Sequence, residues 1–127
     1  MHDVRFDPQA RRVMIRASGF WNDAEFAAFA KDARAAFDVF GQDERPVDIL
    51  ADLEGYQPQS LEALSHHDFL GTIGTAKIGR HALVTGSALL RIQMRRFYEV
   101  IPIAYFADRA SALAWLGWDA SDPILAG

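Results

Sequence analysis

Asp48 and Asp52, four residues apart in Pro46–Ser60 (PVDILADLEGYQPQS), are the first candidates for chemistry in this chain. On a strand, positions of even spacing point to one face, so the two carboxylates imitate an acid–base pair. Their placement assigns them other work. Val47, Ile49, Leu50 and Leu53 read as a buried strand, with Asp48 near its entrance and Asp52 at its exit, both in turn roles. Of the four histidines, His66 and His67 are adjacent. On a helix they point about 100° apart and cannot share a metal as an i, i+4 pair does. His2 and His81 stand alone, and all four read as solvated or hydrogen-bonded. Ser60, Ser65, Ser87 and Ser111 lack a Gly-x-Ser-x-Gly elbow and any cue linking them to a histidine and an acid. No catalytic residue, metal or cofactor is assigned.

Anion binding has a better candidate. Gly71, Gly74 and Gly79 follow a helix and precede a strand, the reverse of a dinucleotide loop. Thr85-Gly86-Ser87 is a strand-to-helix turn, with Arg91 one turn further on. Ser87, Arg91, Arg95 and Glu99 form an i, i+4 stripe, and Leu90, Met94 and Phe97 form the apolar face. Ser87, Arg91 and Arg95 are therefore the candidate anion- or ligand-binding residues; the plainer reading is an N-cap serine and a solvated face. Between Phe69 and Tyr98 there are five cations and no acid, which leaves 8 Lys and Arg against all 17 Asp and Glu elsewhere. Such asymmetry marks an anion-facing surface or a face paired with acids elsewhere. A pI of about 5.4 argues against nucleic acid.

These residues sit in one domain, 1–127, long enough to bury a core without staples. There is no cysteine, hence no disulfide or thiolate site. The longest stretch free of formal charge, His81–Leu90, is about half a membrane span, and the N-terminus lacks a signal-peptide core. The expectation is a cytoplasmic protein without an integral membrane segment.

The elements that position the candidates are legible. Val4–Phe6 and Val13–Ala17 read as a hairpin around Asp7-Pro8-Gln9-Ala10. Asn22 to Glu25 has the spacing of a capping box. Behind it Phe26, Phe29, Ala30, Ala33, Phe37 and Phe40 form one helical face that stops at Gly41. The strand Val47–Leu53, a helix from about Pro58 to Leu70, and the strand Lys77–Val84 follow. A helix from about Ala88 to Tyr98, the strand Ile101–Phe106, and a last helix capped by Asp108 and ended by Gly117 complete the chain. The fold class is α/β: a mixed sheet of about five strands, an N-terminal hairpin followed by βαβ units, with about four helices. In such sheets ligands and partners dock at the carboxyl ends of strands.

Gly19-Phe20-Trp21, Val47-Asp48-Ile49-Leu50-Ala51-Asp52-Leu53-Glu54-Gly55, Lys77–Val84 and the ending Ala112-Leu113-Ala114-Trp115-Leu116 together give a further lead. On these residues the chain resembles the SpoIIAA-like family, small bacterial STAS and SEC14-type domains related in fold to anti-sigma-factor antagonists and compared with CRAL-TRIO lipid carriers. The resemblance implies helices largely on one side of the sheet and a partner surface at Asp52, Glu54, Gly55, Tyr56 and Ser60. In anti-sigma antagonists a serine at that helix start is phosphorylated; here Ser60 lacks the motif's preceding aspartate and its glycine. The implied function is a non-enzymatic interaction or regulatory module acting on a protein partner. The alternative is a carrier of an anionic amphiphile, a lipid or fatty acid, held between helices and sheet with Arg91 or Arg95 at its head group. Trp118 and Tyr56 read as exposed aromatics that could support a homodimer; the plainer reading is that single exposed apolar residues are normal.

Overall fold

The computed structural model describes residues 1–41, 44–58, 76–97 and 102–126. β1 (His2–Asp7) and β2 (Arg12–Ala17) form the expected hairpin, with Val4 opposite Ile15 and Phe6 opposite Val13. Asp7 makes the turn: its Oδ1 accepts from the backbone N–H groups of Gln9 and Ala10 at 3.0 and 3.1 Å, an Asx turn that closes the hairpin locally. β4 (Val47–Asp52), β6 (Ile78–Val84) and β7 (Ala104–Phe106) then add in parallel, giving the order β1-β2-β4-β6-β7. β3 (Gly19–Trp21) and β5 (Tyr56–Pro58) make a separate two-stranded parallel ribbon. That ribbon was not anticipated, because three-residue strands leave no periodic signal. β7 is also shorter than the Ile101–Phe106 run expected for it.

α1 (Asp23–Asp38) begins where Asn22 Oδ1 accepts from Glu25 N–H at 2.9 Å. The capping box is only half made, since the Glu25 carboxylate turns to His2. Phe26, Ala33 and Phe37 are buried from α1, and Phe40 just beyond it. They pack with Leu90 and Met94 of α2 (Ala88–Phe97) on Val13, Ile15, Ile49, Ala51 and Leu83. A side chain the size of Phe37, fully withdrawn from water, contributes roughly 1.5–3 kcal/mol.

The alternate strand positions Met14, Leu50, Ala82 and Val84 face the other way. There they meet Ala112, Leu113 and Leu116 of α3 (Arg109–Leu116), Trp118, and Ile124 and Leu125 of a closing 3₁₀ turn, Pro123–Leu125. Among the described residues two α-helices thus cover one face and α3 the other, where the resemblance implied helices largely on one side. Strands buried on both faces read as near-continuous apolar runs, as Val47–Leu53 does. Trp118 is corrected too: it is 5 % exposed, with the Arg12 guanidinium 4.9 Å from its ring centre. Tyr56 is half-buried against Trp21, ring centres 5.2 Å apart. Trp118 therefore offers no free aromatic surface for a dimer, and Tyr56 is only partly exposed. Three α-helices are described; of the fourth expected, Pro58 is the last residue of β5 and the remainder lies outside the described residues.

Candidate functional site

Because β2, β4, β6 and β7 are parallel, their carboxyl ends line one rim of the sheet. The rim is Ser18, Leu53 to Gly55, Thr85 to Ser87, and Ala107 to Arg109. Antiparallel β1 brings His2 to the same rim, opposite Ala17. Strand order advances in one direction from β1 to β7, so the described sheet lacks the reversal at which doubly wound sheets open a ligand crevice.

Asp52 anchors this rim. It is 3 % exposed, and its carboxylate is fully used. Oδ1 accepts from Glu54 N–H at 3.1 Å; Oδ2 accepts from Arg109 Nε at 3.0 Å and Nη2 at 2.6 Å. A buried carboxylate needs such a cation, and this one joins the exit of β4 to the first residue of α3. The turn behind it leaves Glu54 and Gly55 exposed. Gly55 has φ +77°, a conformation glycine adopts without strain, and its carbonyl accepts from Gly19 N–H at 2.9 Å to begin the β3–β5 ribbon.

One strand over, Leu53 N–H donates to the Val84 carbonyl at 2.9 Å, so the two candidate sites of the sequence are neighbours. Ser87 Oγ accepts from Leu90 N–H at 3.1 Å, capping α2, and Ser87 N–H donates to Thr85 Oγ1 at 3.2 Å. Arg91 is half-buried one turn along. Arg95 is about 12 Å along the helix axis from Ser87, with its guanidinium 4.9 Å from the centre of the Tyr105 ring. Asp52, Glu54, Gly55 and Ser87 therefore share the rim, Tyr56 turns under it, and Arg95 stands away from it. Ser60, His66, His67, Gly71, Gly74 and Glu99 lie outside the described residues.

The Asp48–Asp52 pair is not a catalytic one. Four strand residues separate them by roughly 13 Å, and Asp48 Oδ1 accepts from Arg80 N–H at 2.8 Å at the far end of β4. There the β4–β6 register shifts between Val47 and Ile49. His81 is buried in β6, and desolvation lowers its pKa to about 4, so it is a neutral core residue. Among the described residues no three His, Cys, Asp or Glu side chains gather to hold a metal, and no helix is long and apolar enough to cross a membrane.

Two features escaped the sequence reading. Arg109 follows the recognised cap Asp108, but nothing in its neighbourhood names a partner 57 residues away. His2 reads as isolated, yet the fold sets it between Glu25 and Asp32 of α1. A family model described as SpoIIAA-like matches residues 12–117 of the chain. No curated protein matches it.

Proposed function

The chain belongs to the SpoIIAA-like family, and from that premise we propose that it is a non-enzymatic, STAS-type interaction or regulatory module that docks a protein partner on the carboxyl rim of its sheet. One observation carries the reading: the Asp52–Arg109 pair braces the β4 exit, so that Glu54 and Gly55 stand exposed on a fixed turn beside exposed Ser87. A preorganised polar turn loses little freedom on binding, which favours recognition. Ser60, two residues beyond β5, completes the surface in this reading, and a phosphate there would reset its charge. The amphiphile reading draws less support. Of the aromatic side chains such a ligand would have to part, Phe26, Phe29 and Tyr56 are each in ring contact with Trp21.

The bracing decides the test. Asp52→Ala would disturb the fold, whereas Glu54→Lys reverses the charge of the exposed turn and Ser60→Asp supplies the charge a phosphate would bring. Wild type and both variants, together with Gln9→Lys at the opposite end of the sheet, are used to capture partners from the host. A protein held by wild type and Gln9→Lys but lost by the rim variants supports the docking surface. Equal recovery by all four overturns it. A co-purifying mass of a few hundred daltons, released into organic solvent, would support the carrier instead.

A further inference from the structure

The strand β1 meets α1 through the side chain of its first residue. His2 rises on the α1 side of the sheet, edge-on to Trp21 and Phe29, with ring centres 5.9 Å from each. Its side chain is only 12 % exposed. Nδ1 lies 3.0 Å from Glu25 Oε1 and Nε2 lies 2.7 Å from Asp32 Oδ2. Ionised carboxylates only accept, so both ring nitrogens must carry a proton to satisfy both partners, and imidazolium alone does. A neutral ring donates once and turns a lone pair toward the other carboxylate. We propose that His2 is a proton-operated latch: charged, it ties the start of β1 to both carboxylates of α1; neutral, it drops one of them and loosens the edge strand.

The surroundings fit this device. From α1 the facing charged groups are Glu25 and Asp32. From the chain start the Met1 amino group lies 3.0 Å from Glu25 Oε1, and β3 contributes the uncharged Trp21. A surface pocket of about 180 Å³ is lined by Met1, His2, Asp3, Arg16 and Ser18; the charged pair Asp3 and Arg16, next in register, alternates to the face of the sheet opposite His2 and Ala17. Burial disfavours the charged ring, but the hydrogen bonds to Asp32 and then Glu25, with their charges, outweigh it and hold His2 above its ordinary 6.5. The hydrogen bond from His2, followed by that from the Met1 amine, holds Glu25 below its ordinary value. Among the described residues β1 pairs only with β2 and is an edge strand. Release of its first residue uncovers the Trp21–Phe29 contact beneath, next to Ser18, whose carbonyl accepts from Met1 at 2.9 Å.

This inference goes beyond the docking reading and is tested on the free protein, so either can fail alone. The full chain, untagged at its N-terminus, is titrated by NMR while amide exchange of residues 2–7 is followed between about pH 6 and pH 9. The wild-type His2 ring is expected to titrate above 6.5, and lower in Asp32→Asn. Protection of β1, corrected for intrinsic exchange, falls about tenfold as the ring loses its proton, while β4 stays unchanged. His2→Gln keeps the Met1 amine but has no such pH dependence. A ring that titrates at or below 6.5, or β1 protection that falls equally in His2→Gln, overturns the latch. The wild-type titration needs no variant to fold.

Discussion

Asp52 and Arg109, 57 residues apart in the chain, are joined by two hydrogen bonds to a single carboxylate oxygen, while the other oxygen holds the turn at Glu54. The two ends of the pair are unequally buried: the Asp52 side chain is 4 % exposed and that of Arg109 is 32 %. Removing either partner therefore has a different consequence.

Arg109→Met is expected to cost more than Asp52→Asn. The first strands an ionised carboxylate in the interior, a penalty of about 2–4 kcal/mol once partial solvent access at Arg109 is allowed for. The second leaves a guanidinium able to turn to water and a side-chain oxygen for Glu54 N–H, at about 1–2 kcal/mol. Urea unfolding of both variants gives the order; the reverse ranking would refute the burial argument.

Gly79 is required by a close approach rather than by its backbone angle. A Cβ there would lie 2.5 Å from Asp48 Oδ1 and 3.1 Å from Pro46 Cβ, so Gly79→Ala forces Asp48 off Arg80 N–H at a cost of about 1–3 kcal/mol. At Gly86 a Cβ meets nothing within 4 Å. Gly86→Ala is expected to leave stability within about 0.5 kcal/mol of wild type, and thermal unfolding of the two side by side checks the contrast.

The tryptophans at 115 and 118 separate in the same way. Trp118→Ala empties a site beneath Arg12 between Met14 and the closing turn, for about 3–5 kcal/mol. Trp115 is 39 % exposed, tilted against Phe106 and under Arg80, and its truncation is expected to cost about 1 kcal/mol.

His81 dictates a loss of stability in acid. Its folded pKa of about 4 lies below the ordinary 6.5, so between these values the unfolded chain binds the extra proton. Stability is then full above 6.5 and declines as pH falls toward 4, by about 3 kcal/mol in all for this group. His2 works in the opposite direction: its pKa is raised, so its contribution is full below 6.5 and is lost as pH rises through the folded value. Denaturation of His81→Leu across this range is expected to show a shallower acid limb; an unchanged limb would assign the loss to carboxylates alone.

Much of the frame was readable because it rests on local rules. The alternation in Val13–Ala17, the helical recurrence from Phe26 to Phe37, and the caps at Asn22, Asp108 and Gly117 each concern residues within a turn or two of one another. The candidate site was readable only as separate pieces. Asp52 and Ser87 were recognised as a strand exit and a helix start, but their adjacency follows from β4 pairing with β6. Trp118 reads as exposed and is buried, because a lone aromatic after a glycine stop has no period to reveal that the chain returns over it.

The sequence by itself determined the α/β class, the chain order of the five strands of the main sheet and of the three described helices, the hairpin and the family resemblance, since hydrophobic period and capping chemistry act over a few residues. Only the tertiary structure decided which faces the helices cover, that Asp52 is locked by Arg109, and that His2 lies between Glu25 and Asp32. Those contacts join segments 23 to 57 residues apart. A charged side chain's preference for a counter-ion is general, and which one it meets is set by how strands and helices pack, a sum of burial over the whole domain that no local pattern encodes.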